Sequence, residues 1–348
     1  MTSSRQSKTP AAIPVLSGQT CAGKTRLALE MARYLPIEVV SADSRQVYRG
    51  MDIGTAKPTA EERALLHHHI IDVADPSESF SAGRFVALAD RAIDDIAGRG
   101  KLPVVVGGTG LYVYSLIRGA TFGGAPPNPA MRSVLAKLTL DELQALGLAT
   151  IGDLGPVTWS RLDKNNPVRI VRALERMLFT NRAVVEVAAR HLGKLGREQA
   201  AFALLAADEW RREPALAAAL LALEAPRRWH HIHLTLPKDE SGRRIDERTR
   251  WMYDAGLIDE TRRLLDAGFS ADLPALKTIG YGEAVQVIAG RMSVDDAIAT
   301  TAKRTRLLAR RQRTWFRNQE PKPDVVIDAT DVGATIDRVI QAMNAFHR

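Results

Sequence analysis

Cysteine is almost absent from this chain: Cys21 is the only one in 348 residues. No internal disulfide can therefore form, and a reducing compartment suits the sequence. Long apolar runs are absent too, so no segment has the length to cross a bilayer and a membrane-embedded role is set aside. The opening Met1-Thr2-Ser3-Ser4-Arg5-Gln6-Ser7-Lys8 lacks the apolar core of a secretion signal. Residues 1–12 read as a flexible tail and the cytoplasm as the expected location. Acidic residues are in deficit, 40 against 48 Lys and Arg, which gives a formal net charge of +8 and a sequence pI near 9.7. That excess suggests a polyanionic partner. Nothing in the composition demands more than a monomer.

What is present starts with Gly18-Gln19-Thr20-Cys21-Ala22-Gly23-Lys24-Thr25, which has the G-x-x-x-x-G-K-[ST] spacing of a phosphate-binding loop. Glycines let consecutive backbone N–H groups converge on an anion. Lys24 can reach outer phosphate oxygens, and Thr25 offers a hydroxyl to a magnesium ion. The following helix points its positive end at the same anion. Context supports the match. Ile13-Pro14-Val15-Leu16 reads as a buried strand, and Leu27, Ala28, Met31, Ala32 and Leu35 recur at helical spacing before Pro36.

Further strands are expected at Ile37–Ala42, His69–Val73, Pro103–Val106, His231–Leu236 and Val325–Ile327, and helices from Ser81 to Ala97 and after Gly110. Alternation of this kind predicts an α/β fold, a P-loop NTPase-like parallel sheet covered by helices. Gly, Pro and Asn gather between Gly119 and Pro129, and strand signals then give way to helical patterns at Met131–Leu138, Leu140–Leu146, Pro167–Phe179 and Pro214–Leu223. The expected layout is a discontinuous core, 13–120 with 230–348, interrupted by a mainly helical insertion domain, 121–229. Two basic helices are expected at Ser241–Ala267 and Ser293–Arg317.

Ligands in open α/β sheets bind where strands end and helices begin. Three strand ends carry reactive groups: the loop, Asp43, and Gly107-Gly108-Thr109. A carboxylate beside a phosphate loop serves as a metal ligand, as a general base, or simply as a cap for the next turn. Val104-Val105-Val106 runs into glycines where a nucleoside-triphosphate hydrolase would carry its metal-binding Asp, which speaks against a motor or switch. Lys303, Arg306, Arg310, Arg313 and Arg317 share one helical face, a stripe suited to a phosphate backbone. Arg169, Arg172 and Arg176 repeat the theme. Lys277-Thr278-Ile279-Gly280-Tyr281-Gly282 reads as a basic loop whose ring could stack on a base. His67-His68-His69 is set aside as a metal site because adjacent residues do not share a face and no carboxylate is spaced to complete one. Cys21 reads as a small loop residue rather than a nucleophile.

The loop, the segment Asp43-Ser44-Arg45-Gln46-Val47-Tyr48-Arg49-Gly50-Met51-Asp52-Ile53-Gly54-Thr55-Ala56-Lys57-Pro58, and Gly107-Gly108-Thr109-Gly110-Leu111-Tyr112 together resemble the tRNA dimethylallyltransferase family. So do Asn166–Glu175, Gly280-Tyr281 and Arg310-Arg311-Gln312-Arg313-Thr314-Trp315-Phe316-Arg317. The resemblance implies transfer of a dimethylallyl group from its diphosphate to N6 of adenosine 37, beside the anticodon, with Mg2+ as cofactor and the anticodon stem-loop of tRNA as partner. It assigns Asp43 as general base and the loop residues Gly18 through Thr25, with Lys24, as diphosphate holder. Thr109 falls near the reacting centre, and Arg244 or Arg248 clamps the diphosphate. tRNA contacts fall on Asp43, Ser44, Arg45 and Gln46, on Thr109, on Val168, Arg169, Ile170, Val171 and Arg172, and on Lys277 through Gly282; the basic stripe adds Arg310 and Arg313. A relative that prenylates free adenine nucleotides is the rival reading, and a small-molecule kinase a more distant one. Gln19 departs from the proline usual in the family, and residues 192–228 match no expected pattern.

Overall fold

The computed structural model describes residues 12–119, 129–152, 159–160, 162–180, 188 and 227–346. The expected tail, the linker between 120 and 128, the helix at Pro214–Leu223 and nearly all of 192–228 lie outside them. Six strands, β1 (Ile13–Gly18), β2 (Ile37–Ser41), β3 (His68–His69), β4 (Leu102–Gly107), β5 (Trp229–Thr235) and β6 (Val325–Asp328), form one parallel sheet in the order β3-β2-β4-β1-β5-β6. β1 is buried along its whole length at the centre, as a strand covered on both faces must be. It pairs with β5 so closely that a Cβ on Gly18 would lie 2.6 Å from the Leu234 carbonyl oxygen.

Helices α1 (Lys24–Met31), α2 (Ala60–Leu65), α3 (Ala82–Gly98) and α4 (Gly110–Ile117) follow their strands. Leu27 and Met31 of α1 enter the main core with Leu16, Val39, Val104, Ile232 and Ile327. Val339 and Met343 of a C-terminal helix, Val332–Phe346, join the same core; that helix was not anticipated.

Two expectations fail for backbone reasons. The strand expected over His69–Val73 shrinks to His68–His69, because Ile70 and Asp72 adopt positive φ of 63° and 58°. Asp72 instead receives Lys57 at 2.5 Å and Arg63 at 2.7 Å. The single basic helix expected over Ser241–Ala267 is two, Lys238–Asp254 and Leu257–Asp266, broken at Gly256 with φ 98°. The basic "loop" at Lys277–Gly282 runs directly into a helix, Tyr281–Ile288, started by Gly280 at φ 92°. The long basic helix spans Val294–Asn318 and is capped by Ser293, whose hydroxyl accepts the Asp296 N–H.

The chain divides into two compact units, Met1–Ala120 with Pro226–Arg348, and Thr121–Ala225. Within the second, helices Pro129–Leu135, Leu140–Gly147 and Pro167–Thr180 enclose a core of Met131, Leu135, Leu143, Leu146, Trp159, Ile170 and Leu174. A capping box between Thr139 and Glu142 starts the middle helix.

Candidate active site

β1 delivers the loop to the carboxyl edge of the sheet, where β2 and β4 also end. Gly23 has φ 80° and Cys21, unusually for a residue with a side chain, φ 63°. These left-handed steps turn the backbone tightly, closing the loop on itself with the Ala22 N–H on the Gln19 carbonyl at 3.3 Å. α1 starts without any side-chain cap, which leaves its first N–H groups for an anion. Lys24 folds back, donating to the carbonyls of Gly18 at 3.0 Å and Gln19 at 2.8 Å. Burial pulls its ammonium down to about 8; the Asp43 carboxylate partly offsets this, and the Arg248 guanidinium reinforces it.

Asp43 follows β2 and lines one cavity of about 40 Å3 together with Lys24, Thr25, Ser41, Gln46 and Gly107. Its Oδ1 accepts the backbone N–H of Arg45 at 2.8 Å and of Gln46 at 3.4 Å, while Oδ2 makes no hydrogen bond to a described residue. The capping role is therefore real and occupies one oxygen only. Thr109, after β4, leaves its own helix uncapped. Its Oγ1 accepts the Ser44 N–H at 3.0 Å and donates to Ser44 Oγ at 3.3 Å, tying the β4 turn to the residue after Asp43. The turn needs its glycines, because a Cβ on Gly110 would sit 2.2 Å from Trp315.

The two candidate clamps on the helix Lys238–Asp254, Arg244 and Arg248, separate clearly. Arg248 Nη2 donates to Thr20 Oγ1 in the loop at 2.6 Å. Arg244 is drawn to Glu240 at 2.5 Å and to the Thr330 carbonyl at 2.9 Å, although a Cβ on Gly23 would come within 3.9 Å of its Nη1. Gln19 is 1% exposed, donating to Ser241 Oγ at 2.8 Å and accepting from Arg313 Nη1 at 3.1 Å. A proline there could do neither.

Several supporting groups escaped the sequence reading. Glu260 is buried, and its carboxylate accepts the N–H groups of Asp52 at 3.1 Å, Ile53 at 2.9 Å and Gly54 at 3.3 Å, and the Tyr281 hydroxyl at 2.5 Å. It holds the segment after Asp43 in shape. Tyr281 is fully buried against Gly54, where a Cβ would approach its ring to 2.4 Å. Its ring cannot stack on a base, which corrects the expectation for that residue; burial and the Glu260 charge also push its hydroxyl pKa up. Under the loop, Ser17 Oγ contacts His231 Nε2 at 2.6 Å and His233 Nδ1 at 2.8 Å. Burial pulls both imidazoles down to about 4, so neither adds charge near Lys24 at neutral pH. A signal existed for these two, since His231 and His233 alternate along a strand beside the loop.

Other expected positions divide by exposure. Lys277 is exposed and pairs with Asp272, Thr278 Oγ1 bonds the Ala275 carbonyl, Ile279 and Gly282 are half-buried, and the Gly280 N–H goes to Glu283. Of the basic stripe, Arg306 pairs with Asp246, and Arg313 turns to Gln19. Arg310 is exposed and enters no ion pair with a described residue. In the helical unit, Val168 and Arg169 are exposed, but Ile170 is fully buried in that unit's core and Val171 packs against it. Ile170 therefore cannot offer its side chain to a partner. Arg172 lies 3.1 Å from the buried Glu175, which also takes a two-pronged bond from Arg132, and Arg169 is 3.7 Å from Asp163. The Arg176 side chain lies outside the described residues.

The histidine run needs a correction as well. His67 and His69 are two apart in an extended stretch, so they do share a face, and Glu38 from the next strand brings its carboxylate within 4.8 Å of both. That carboxylate already accepts Arg99 twice, Lys101 and His69, leaving it no free position for a cation.

What the sheet and loop define is a phosphate-loop α/β protein with a carboxylate and an arginine brought up to the loop from other elements. The comparisons narrow this. The IPP transferase family profile matches residues 46–319, and an isopentenyl transferase profile matches residues 11–74. The chain is 41% identical over 87% of its length to tRNA dimethylallyltransferase 1 of Syntrophotalea carbinolica, covering 87% of that protein. To the tRNA dimethylallyltransferase of a Roseiflexus species it is 38% identical over 94% of its length and 98% of the relative's. Its fold superposes on the tRNA isopentenylpyrophosphate transferase of Bacillus halodurans with a TM-score of 0.64 and 31% identity, over 97% of each chain. The chain belongs to the IPP transferase family, the family of the tRNA dimethylallyltransferases.

Proposed function

We propose that this chain transfers the dimethylallyl group of dimethylallyl diphosphate to N6 of adenosine 37 in tRNA, releasing diphosphate. The observation that carries the reading is the cavity that Asp43 shares with Lys24 and Thr25: one group to take a proton, beside groups that hold a leaving diphosphate. An exocyclic adenine amine is a weak nucleophile and loses a proton as its new C–N bond forms. The Oδ2 of Asp43, unbonded within the described protein, accepts that proton, while Oδ1 stays pinned by the Arg45 and Gln46 amides and keeps the carboxylate aimed. Negative charge builds on the diphosphate as its bond to carbon breaks. The uncapped α1 amides, Lys24 and Arg248 meet that charge. Thr109, whose Oγ1 accepts the Ser44 N–H, stands next to Asp43, and turning its one hydroxyl proton away from Ser44 Oγ makes it a donor to the reacting centre.

Thr25 suits magnesium: it lines the cavity, and its hydroxyl makes no hydrogen bond to a described residue. When bound, the ion would neutralise charge on the diphosphate. Arg248 is our choice for the clamp, because it alone of the pair touches the loop through a hydrogen bond. For tRNA we assign Ser44, Arg45 and Gln46 beside the base, Lys277 and Arg310 to backbone phosphates, and Val168 with Arg169 in the helical unit. The target base leaves its stack to reach Asp43. No helix among the described residues is long and apolar enough to cross a membrane, and we assign a monomer acting on tRNA in the cytoplasm.

Incubation with magnesium, labelled dimethylallyl diphosphate and unmodified tRNA whose adenosine 37 follows adenosine 36 tests this reading. Label is expected in the tRNA. Label in AMP or ADP alone would favour the nucleotide-prenylating rival.

A further inference from the structure

One side chain closes the first half of the phosphate loop, and none of the roles above requires it. Gln312, on the helix Val294–Asn318, accepts the Thr20 N–H through Oε1 at 2.8 Å and donates from Nε2 to the Gly108 carbonyl at 2.9 Å. A single carboxamide thus bridges the loop and the β4 turn. A Cβ on Gly108 would lie 2.8 Å from Gln312 Nε2 and 3.6 Å from Lys24 Nζ. The carboxamide and the ammonium therefore border the same small space.

In a loop of this type the helix amides hold the inner phosphate and the lysine reaches the outer ones. Gln312 stands at the lysine's end of that path. It is fixed there: its neighbour Arg313 bonds Gln19, and Arg248 holds the Thr20 hydroxyl. Thr20 is thus bound at its amide and at its hydroxyl by protein groups. A further phosphate at this end would have to displace the carboxamide and leave the Gly108 carbonyl without its partner.

We propose that Gln312 sets the length of phosphate chain the loop accepts, closing it against a third phosphate so that a diphosphate is held and a triphosphate refused. This rests on the reading of the loop as a diphosphate holder. It also runs against simple charge attraction, since a triphosphate carries more charge into a basic loop.

Calorimetric titration of inorganic diphosphate and inorganic triphosphate, each with magnesium, into the full-length protein and its Gln312→Ala and Gln312→Ser variants tests the proposal. The unaltered protein is expected to prefer diphosphate. Both variants are expected to lose that preference by about tenfold, the scale of two neutral hydrogen bonds, through tighter triphosphate binding and little change for diphosphate. A ratio unchanged in either variant, with diphosphate still bound, overturns the role of Gln312 and leaves the diphosphate reading standing. Absence of diphosphate binding in the unaltered protein overturns both.

Discussion

Strand β2 has a carboxylate at each end, and the fold treats the two in opposite ways. Glu38, near its start, is buried and accepts Arg99 at 2.5 and 2.6 Å, Lys101 at 2.8 Å and His69 at 2.7 Å. The Arg99 bonds, reinforced by His69 and Lys101, hold its pKa far below the usual carboxylate range despite burial. Asp43, just past the other end, has one oxygen pinned by two backbone amides and the other without a hydrogen bond to any described residue, beside an ammonium that burial has weakened. Both spots collect charge and histidine or lysine. Among the described residues only one leaves hydrogen-bonding capacity unused, and unused capacity beside a phosphate loop is what a reacting group requires.

The sharpest way to break this contrast is to remove Asp43. Asp43→Ala is expected to slow prenyl transfer by about 10²- to 10⁴-fold, the usual worth of a general base, with tRNA affinity nearly unchanged. Single-turnover transfer and filter binding measure the two, and an equal loss of binding would make Asp43 a recognition residue. Next in size, Arg248→Ala should weaken diphosphate binding about 10- to 100-fold, as loss of a charged donor does, and Arg244→Ala should cost clearly less. Equal effects would remove the distinction drawn from Thr20.

Lys24 gives a pH test. Its ammonium is the form that binds phosphate, and burial pulls its pKa down to about 8. The Lys24 contribution to diphosphate affinity, read as the ratio of the unaltered protein to Lys24→Met so that the ligand's own titration cancels, should therefore be flat below that value and fall toward tenfold per pH unit above it; calorimetry from pH 6.5 to 9.5, a range of roughly three units, would show it. A flat profile throughout would mean that Lys24 keeps its charge. Arg310→Ala should weaken tRNA binding and make its salt dependence shallower by roughly 0.7–0.9 in log–log slope. An unchanged slope would leave that stripe as solvated surface.

The smallest effect on turnover belongs to the other end of β2. Glu38→Gln should leave the transfer rate alone and lower stability by about 1–3 kcal/mol. A depressed carboxylate pKa stabilises the folded state fully above the unfolded value, near pH 4.3, and that contribution fades as pH falls toward the lower folded value. The stability gap between the two proteins should close on acidification, and urea unfolding at several pH values measures it.

Much of this was legible in the chain itself. The loop works through its own consecutive amides, so eight adjacent residues suffice to announce it. Buried strands such as Val104-Val105-Val106 and the capped helix after Ser293 depend on short-range pattern and were read correctly. Misreadings came where a short pattern was interrupted by one backbone torsion. Positive φ at Ile70 and Asp72 cut β3 short, and Gly256 divided a helix whose charge pattern runs on unbroken. Tyr281 looked like an exposed ring in a glycine-rich loop until Glu260 and Gly54 enclosed it.

Residue order alone determined that this chain has a phosphate loop at a strand end, an α/β core and a surplus of positive charge, because each depends on neighbours or on periodic spacing. The tertiary structure decided the partners. It chose Arg248 over Arg244 for Thr20, set the buried Glu260 beneath the segment after Asp43, and brought Gln312 to the Thr20 amide across 292 residues of sequence. Contacts over such distances carry no period and no local signature. Which carboxylate is satisfied and which stays open is known only when the other side chains have arrived.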